Sequence, residues 1–125
     1  MALTMAKGDD IQERLIDFAV NIIQLTTKLP KSPGGKHVAG QLLRSGTSPA
    51  PNYAEARSAE SSNDFIHKLK ITLKELNETT VWLQIITRSK MLPIEECIDL
   101  QKECDELCRI IGASLKTSQR RRKNN

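Results

Sequence analysis

The stretch DDIQERLIDFAVNIIQLTTKL, residues 9–29, carries an apolar seam in which Ile11, Leu15, Phe18, Ile22, Leu25 and Leu29 advance by 4, 3, 4, 3 and 4 residues. On an α-helix, residues three and four apart stack on one face, so these steps draw a single apolar stripe. Gln12, Glu13, Arg14, Asp17, Asn21 and Gln24 occupy the other faces. Asp9 and Asp10 put negative charge at the positive end of the helix, and Pro30 stops it. A helix whose stripe needs partners is predicted from Asp9 to Leu29.

The rest of the chain supplies those partners. Residues 31–36 contain Pro33, Gly34 and Gly35, a short polar break of the kind that joins antiparallel helices. Gly35-Lys36 is not the end of a phosphate-binding loop, because no glycine precedes Gly35 by five and His37 stands where a Ser or Thr would be needed. A second helix, carrying Val38, Leu42 and Leu43, then meets Pro49 and Pro51, each lacking a backbone donor, so a kink or a restart is predicted there. Ser61, Ser62, Asn63 and Asp64 offer caps for a third helix over about 63–90, with Ile66, Leu69, Leu73, Leu76 and Leu83 on one seam and Phe65, Leu69, Leu76, Leu83 and Ile86 on the next. Pro93 opens a fourth helix in which Cys97, Leu100, Cys104, Leu107 and Ile111 step by 3, 4, 3 and 4. The apolar pattern stops at 115–118. The expected fold is all-α: an antiparallel up-and-down four-helix bundle with a kinked second helix. It divides into a flexible N-terminus over 1–8, the bundle over 9–116 and a basic disordered tail over 117–125.

Composition agrees with one core. A chain of 125 residues fits one domain, and with aromatics limited to Phe18, Tyr53, Phe65 and Trp82 its interior must be aliphatic. The formal charge of +4 is unevenly placed: residues 1–115 hold 14 basic and 15 acidic side chains, while Lys116, Arg120, Arg121, Arg122 and Lys123 supply the surplus. That block reads either as a phosphate contact or as a solubilising terminus. The first residues lack the long apolar region of a secretory signal, and no apolar run reaches the roughly 20 residues that cross a bilayer. A cytoplasmic protein with reduced thiols, no membrane partner and no small-molecule substrate is expected.

Chemistry-bearing constellations are few. Cys104 and Cys108 lie one turn apart, but a zinc site wants four ligands, and His37 and His67 fall on other helices without paired spacing. Small core residues are the better reading, and no metal or cofactor is expected. Glu75 and Glu78 share a face, yet neither is followed by histidine at the third position, as a di-iron bundle would require. No serine has a convincing His and Asp partner, so no catalytic residues are assigned. The segment that stands out is Arg44, Ser48, Asn52 and Glu55, spaced 4, 4 and 3. If the backbone stays helical through the prolines, these side chains form a polar stripe. A buried or interfacial network closed by Glu75 is predicted, since unpaired buried charge is costly.

Several of these residues occur in a recognisable order: Phe18-Ala19, Leu29-Pro30, Gln41-Leu42-Leu43-Arg44-Ser45, Thr47-Ser48-Pro49-Ala50-Pro51-Asn52-Tyr53-Ala54-Glu55-Ala56, Asp64-Phe65, and Leu69 through Leu76 followed by Glu78. Over about residues 11–115 the chain resembles the small bacterial four-helix-bundle proteins encoded within intervening sequences of 23S ribosomal RNA genes. It departs from that pattern at Ala56, where glycine is usual, and at Thr72-Leu73-Lys74, where small residues are usual. The resemblance implies an up-and-down bundle assembling into homopentameric rings. It also implies RNA or DNA as a partner, by analogy with related retroelement accessory proteins. The function expected is a non-enzymatic, homo-oligomeric binding or scaffold protein. The competing expectation is a structural or regulatory protein–protein module without nucleic-acid affinity.

Overall fold

The computed structural model describes residues 8–124. The first helix, α1 (Asp9–Thr26), starts from Gly8, whose φ of 95° is the left-handed conformation that glycine adopts without strain. Its expected stripe is the buried one: Leu15, Phe18, Ile22 and Leu25 face inward, and Leu29 anchors the exit. Helix α2 (Pro33–Thr47) begins as proline and serine dictate, with Pro33 in the first turn and Ser32 Oγ accepting from the Gly35 amide at 3.2 Å. The connection is so tight that a Cβ on Gly35 would lie 2.0 Å from the Pro30 carbonyl oxygen.

The predicted break at the prolines is present. Helix α3 (Pro49–Arg57) restarts at Pro49, and Ser48 donates to Arg44 O while Asn52 donates to Ser48 O, each at 3.2 Å, so the path stays helical through the kink. Helices α2 and α3 thus form one arm. The long α4 (Ser62–Arg88) is capped by Ser61, whose Oγ accepts from the Asp64 amide at 3.1 Å. It buries Ile66, Leu69, Leu76, Leu83 and Ile86. Helix α5 (Ile94–Asn124) buries Cys97, Leu100, Cys104, Leu107 and Ile111.

Around the bundle, α1 packs on α2 and α5, and α4 packs on α2, α3 and α5, whereas the backbones of α1 and α4, and of α2 and α5, do not come close. Those two pairs are the diagonals of an antiparallel four-helix bundle. No strand occurs among the described residues.

Two expectations about the ends need correction or restriction. Except for Gly8, the N-terminal segment over 1–8 lies outside the described residues. At the other end, the expected disordered tail from 117 is helical: α5 continues to Asn124. Lys, Arg and Gln are good helix formers, and positive charge at a helix C-terminus is favourable, so like-charge repulsion among Arg120, Arg121 and Arg122 does not unwind it. At 31 residues α5 is about 46 Å long at 1.5 Å per residue, which brings Arg122 level with the first turn of α4.

Candidate functional site

Two polar regions stand apart from the aliphatic core. The first is the seam where the α2–α3 arm crosses α4. Arg44 Nη1 donates to Glu75 Oε2 at 3.0 Å, and its Nη2 reaches both Glu78 Oε2 and Gln41 Oε1. Trp82 Nε1 donates to the same Glu78 oxygen at 3.0 Å, and the Trp82 ring meets His37 edge-on with centroids 5.9 Å apart. Beneath them, Thr79 Oγ1 lies 2.9 Å from Ser45 Oγ and 2.8 Å from Glu75 O, and both residues are fully buried. No buried side-chain nitrogen or oxygen among the described residues lacks a partner.

The predicted stripe is divided in the structure. Arg44 bonds Glu75, and Asn52 Nδ2 donates to Ser48 Oγ at 2.9 Å. Glu55 does not join them. It is exposed and pairs with Lys68 at 3.0 Å, because at 1.5 Å per residue it lies about 16 Å along the arm from Arg44, level with an earlier turn of α4 than Glu75. The four residues form three separate groups, with Asn52 and Ser48 half-buried. Glu78 and Trp82 complete the Arg44 group and were not anticipated, although Glu75, Glu78 and Trp82 at i, i+3 and i+7 share one helical face.

The second region lies at the opposite end of α4, where α5 finishes. Arg122 Nη1 donates to Asn63 Oδ1 at 3.0 Å, which fixes a cation over the first turn of α4 with only a neutral partner. Arg57 pairs with Asp9 and donates to Gln12 Oε1 at 2.7 Å. A notch of about 380 Å³ opens between the end of α3 and the end of α5, with Phe65 on α4 among its lining residues. Lys116, Arg120, Arg121, Arg122 and Lys123 are all exposed on α5. Burial pushes the neighbouring Tyr53 phenol up, Asp10 and Asp9 push it the same way, and Arg57 opposes them.

The thiols are free. Cys97 and Cys104 are fully buried, and Cys104 Sγ donates to Leu76 O at 3.2 Å, so both pack as heptad residues. Burial raises the Cys97 thiol, with Glu96 adding to it, and interaction with the neighbouring Cys108 thiol together with burial raises Cys104. No group of three or more His, Cys, Asp or Glu side chains among the described residues could hold a metal ion. No helix is long and apolar enough to cross a membrane.

A sequence model of the 23S rRNA-intervening sequence protein family matches residues 9–113, leaving the basic end of α5 outside the match. No curated protein matches the chain. A solved protein of unknown function from the S23 ribosomal protein family of Bacteroides thetaiotaomicron is 34% identical, with the alignment covering 85% of this chain and 98% of that one at a TM-score of 0.80. The chain belongs to the 23S rRNA-intervening sequence protein family.

Proposed function

We propose that the protein is a non-enzymatic, cytoplasmic binding scaffold that assembles as a homo-oligomer and offers the basic end of α5 to RNA or DNA. The observation that carries this reading is a pair of exposed apolar patches. Ile16, Val20 and Ile23 follow one another at i, i+4 and i+7 on the outer face of α1, and Val81 and Ile85 do so on the outer face of α4. Val81 is 51% exposed and Ile23 is 47% exposed. Water disfavours such rows, and α1 and α4 are diagonal, so one chain cannot cover its own two patches.

Two different patches on opposite corners favour a head-to-tail contact between copies, which closes into a ring when the rotation allows. A ring of five is the size the family resemblance suggests. Each added copy would bring Lys116, Arg120, Arg121, Arg122 and Lys123, multiplying weak phosphate contacts through effective concentration. The second reading, a protein–protein module without nucleic-acid affinity, is favoured by the bundle body itself, where residues 1–115 carry one more acidic than basic side chain.

The nucleic-acid half is tested by titrating structured RNA and duplex DNA with the full chain and with a chain ending at Leu115. Binding that falls steeply with salt and is mostly lost on truncation supports it. Equal binding by the truncated chain would move the contact surface to Lys68, Lys70 and Lys74 on α4.

A further inference from the structure

The end of α5 offers more than a run of positive charge. The notch between α3 and α5 is lined by Arg57, Ser62, Phe65, Ser118, Arg121 and Arg122. Its volume of about 380 Å³ falls within the roughly 300–1,000 Å³ typical of small-molecule sites. The Phe65 side chain is half-buried and also borders two adjoining cavities, one beside Tyr53 and Ser114 and one beside Thr117 and Arg121. Arg57, Arg121 and Arg122 line the same notch. Phe18 and Tyr53 are buried, and Trp82 is engaged by Glu78 and His37.

The charges around the ring are not equivalent. Arg57 already shares its charge with Asp9. Arg122 is held by the neutral Asn63, and Arg121 has no hydrogen-bond or ion-pair partner among the described residues, so two uncompensated guanidinium groups border the ring.

We propose that this notch seats one unpaired nucleotide of a single-stranded nucleic acid, its base on the Phe65 ring and its phosphate between Arg121 and Arg122. The inference rests on the nucleic-acid reading above and narrows it. An aromatic face inside a concave, cationic pocket suits a splayed-out base, because stacking is available to any unpaired base. A duplex keeps its bases stacked on one another and presents only phosphates, which would meet Arg120 or Lys123 as readily as the notch. Ser62 and Ser118 supply hydroxyls that can bond phosphate or sugar oxygens.

The test is fluorescence anisotropy with the full chain at low salt, using a labelled 12-nucleotide single-stranded RNA, the same sequence as a duplex, and adenosine monophosphate as competitor. The single strand should bind more tightly than the duplex. Phe65→Leu, which keeps the apolar packing and removes the stack, should weaken single-strand binding roughly fivefold or more while changing duplex binding little. Arg121→Ala should weaken the single strand more than Arg120→Ala, which lies outside the notch. Circular dichroism melting of each variant separates lost binding from lost folding.

Equal affinity for single strand and duplex, or an unchanged F65L titration, would overturn the notch proposal and leave a general phosphate-binding end. Adenosine monophosphate binding as tightly as the strand would assign the notch to free nucleotides and overturn it as well. Absence of binding to any RNA at low salt would overturn both this proposal and the nucleic-acid reading.

Discussion

Arg44 on α2 and Glu75 on α4 share a 3.0 Å charge-assisted hydrogen bond across the kinked arm, and the carboxylate residue is only 9% exposed. The guanidinium is half exposed, so water screens one side of the pair while the other is sheltered. Arg44→Ala should strand the sheltered carboxylate and lower stability by about 1–2 kcal/mol, less than for a fully buried pair. Glu75→Gln should cost less, since an amide still accepts from Arg44. Urea unfolding of both variants checks the order, and an unchanged midpoint for R44A would contradict it.

Close approach of α1 and α2 is set by one absent side chain. A Cβ on Gly46 would sit 2.7 Å from Ile22 Cγ2 and 2.8 Å from its Cγ1. Gly46→Ala should therefore destabilise by about 1–3 kcal/mol despite the better helix propensity of alanine. Ile22→Ala leaves a cavity and costs about 2–5 kcal/mol alone, but the double variant should lose less than the sum of the two. Thermal melting of the single and double variants measures the coupling.

Much of this architecture is legible in the sequence because burial follows helical steps. Leu15, Phe18, Ile22 and Leu25 on α1 and Leu69, Leu76 and Leu83 on α4 are where their spacing puts them. Glu55 is misread for a physical reason: a shared helical face does not bring side chains three turns apart to one partner, and Glu55 meets Lys68 whereas Arg44 meets Glu75. The basic end is misread because charge density argues for disorder while helix propensity and the terminal dipole argue for continuation to Asn124. Glu78 was legible only as a shared-face neighbour of Glu75, since its bond to Arg44 depends on the crossing of two helices. The Phe65 notch was not legible, because Arg57 and Arg121 are 64 positions apart and meet only after the bundle closes.

The thiols predict a pH response. The folded chain holds the raised Cys97 proton where an unfolded thiol, with its pKa of about 8.5, has released it. Unfolding therefore becomes easier as pH rises above about 8.5, and the raised Tyr53 acts in the same direction above about pH 10. Cys97→Ala should flatten the decline in unfolding free energy between pH 7.5 and 9.5, as read by urea titrations at each pH. A steeper decline in the variant would contradict the assignment.

Labelling should distinguish the three cysteines. Cys108 is half-buried, its Sγ donates to Asn77 Oδ1 at 3.4 Å, and interaction with the neighbouring Cys104 thiol lowers its pKa. Iodoacetamide under native conditions should modify Cys108 first and reach Cys97 and Cys104 only with unfolding. Peptide mass mapping over time reads the order, and early modification of Cys104 would contradict its packing.

The proposed assembly requires the exposed rows on α1 and α4 to be two halves of one contact between copies. Light scattering coupled to size exclusion, at micromolar concentration, should give a mass several times the 14.0 kDa of one chain. Ile23→Glu and Val81→Glu should each reduce it to the single-chain mass, because each variant lacks one half of every contact. Mixed together they retain one good contact, the α1 row of V81E against the α4 row of I23E, and should form a dimer that grows no further. A wild-type mass of 14.0 kDa, or variants that assemble as the wild type does, would contradict the account.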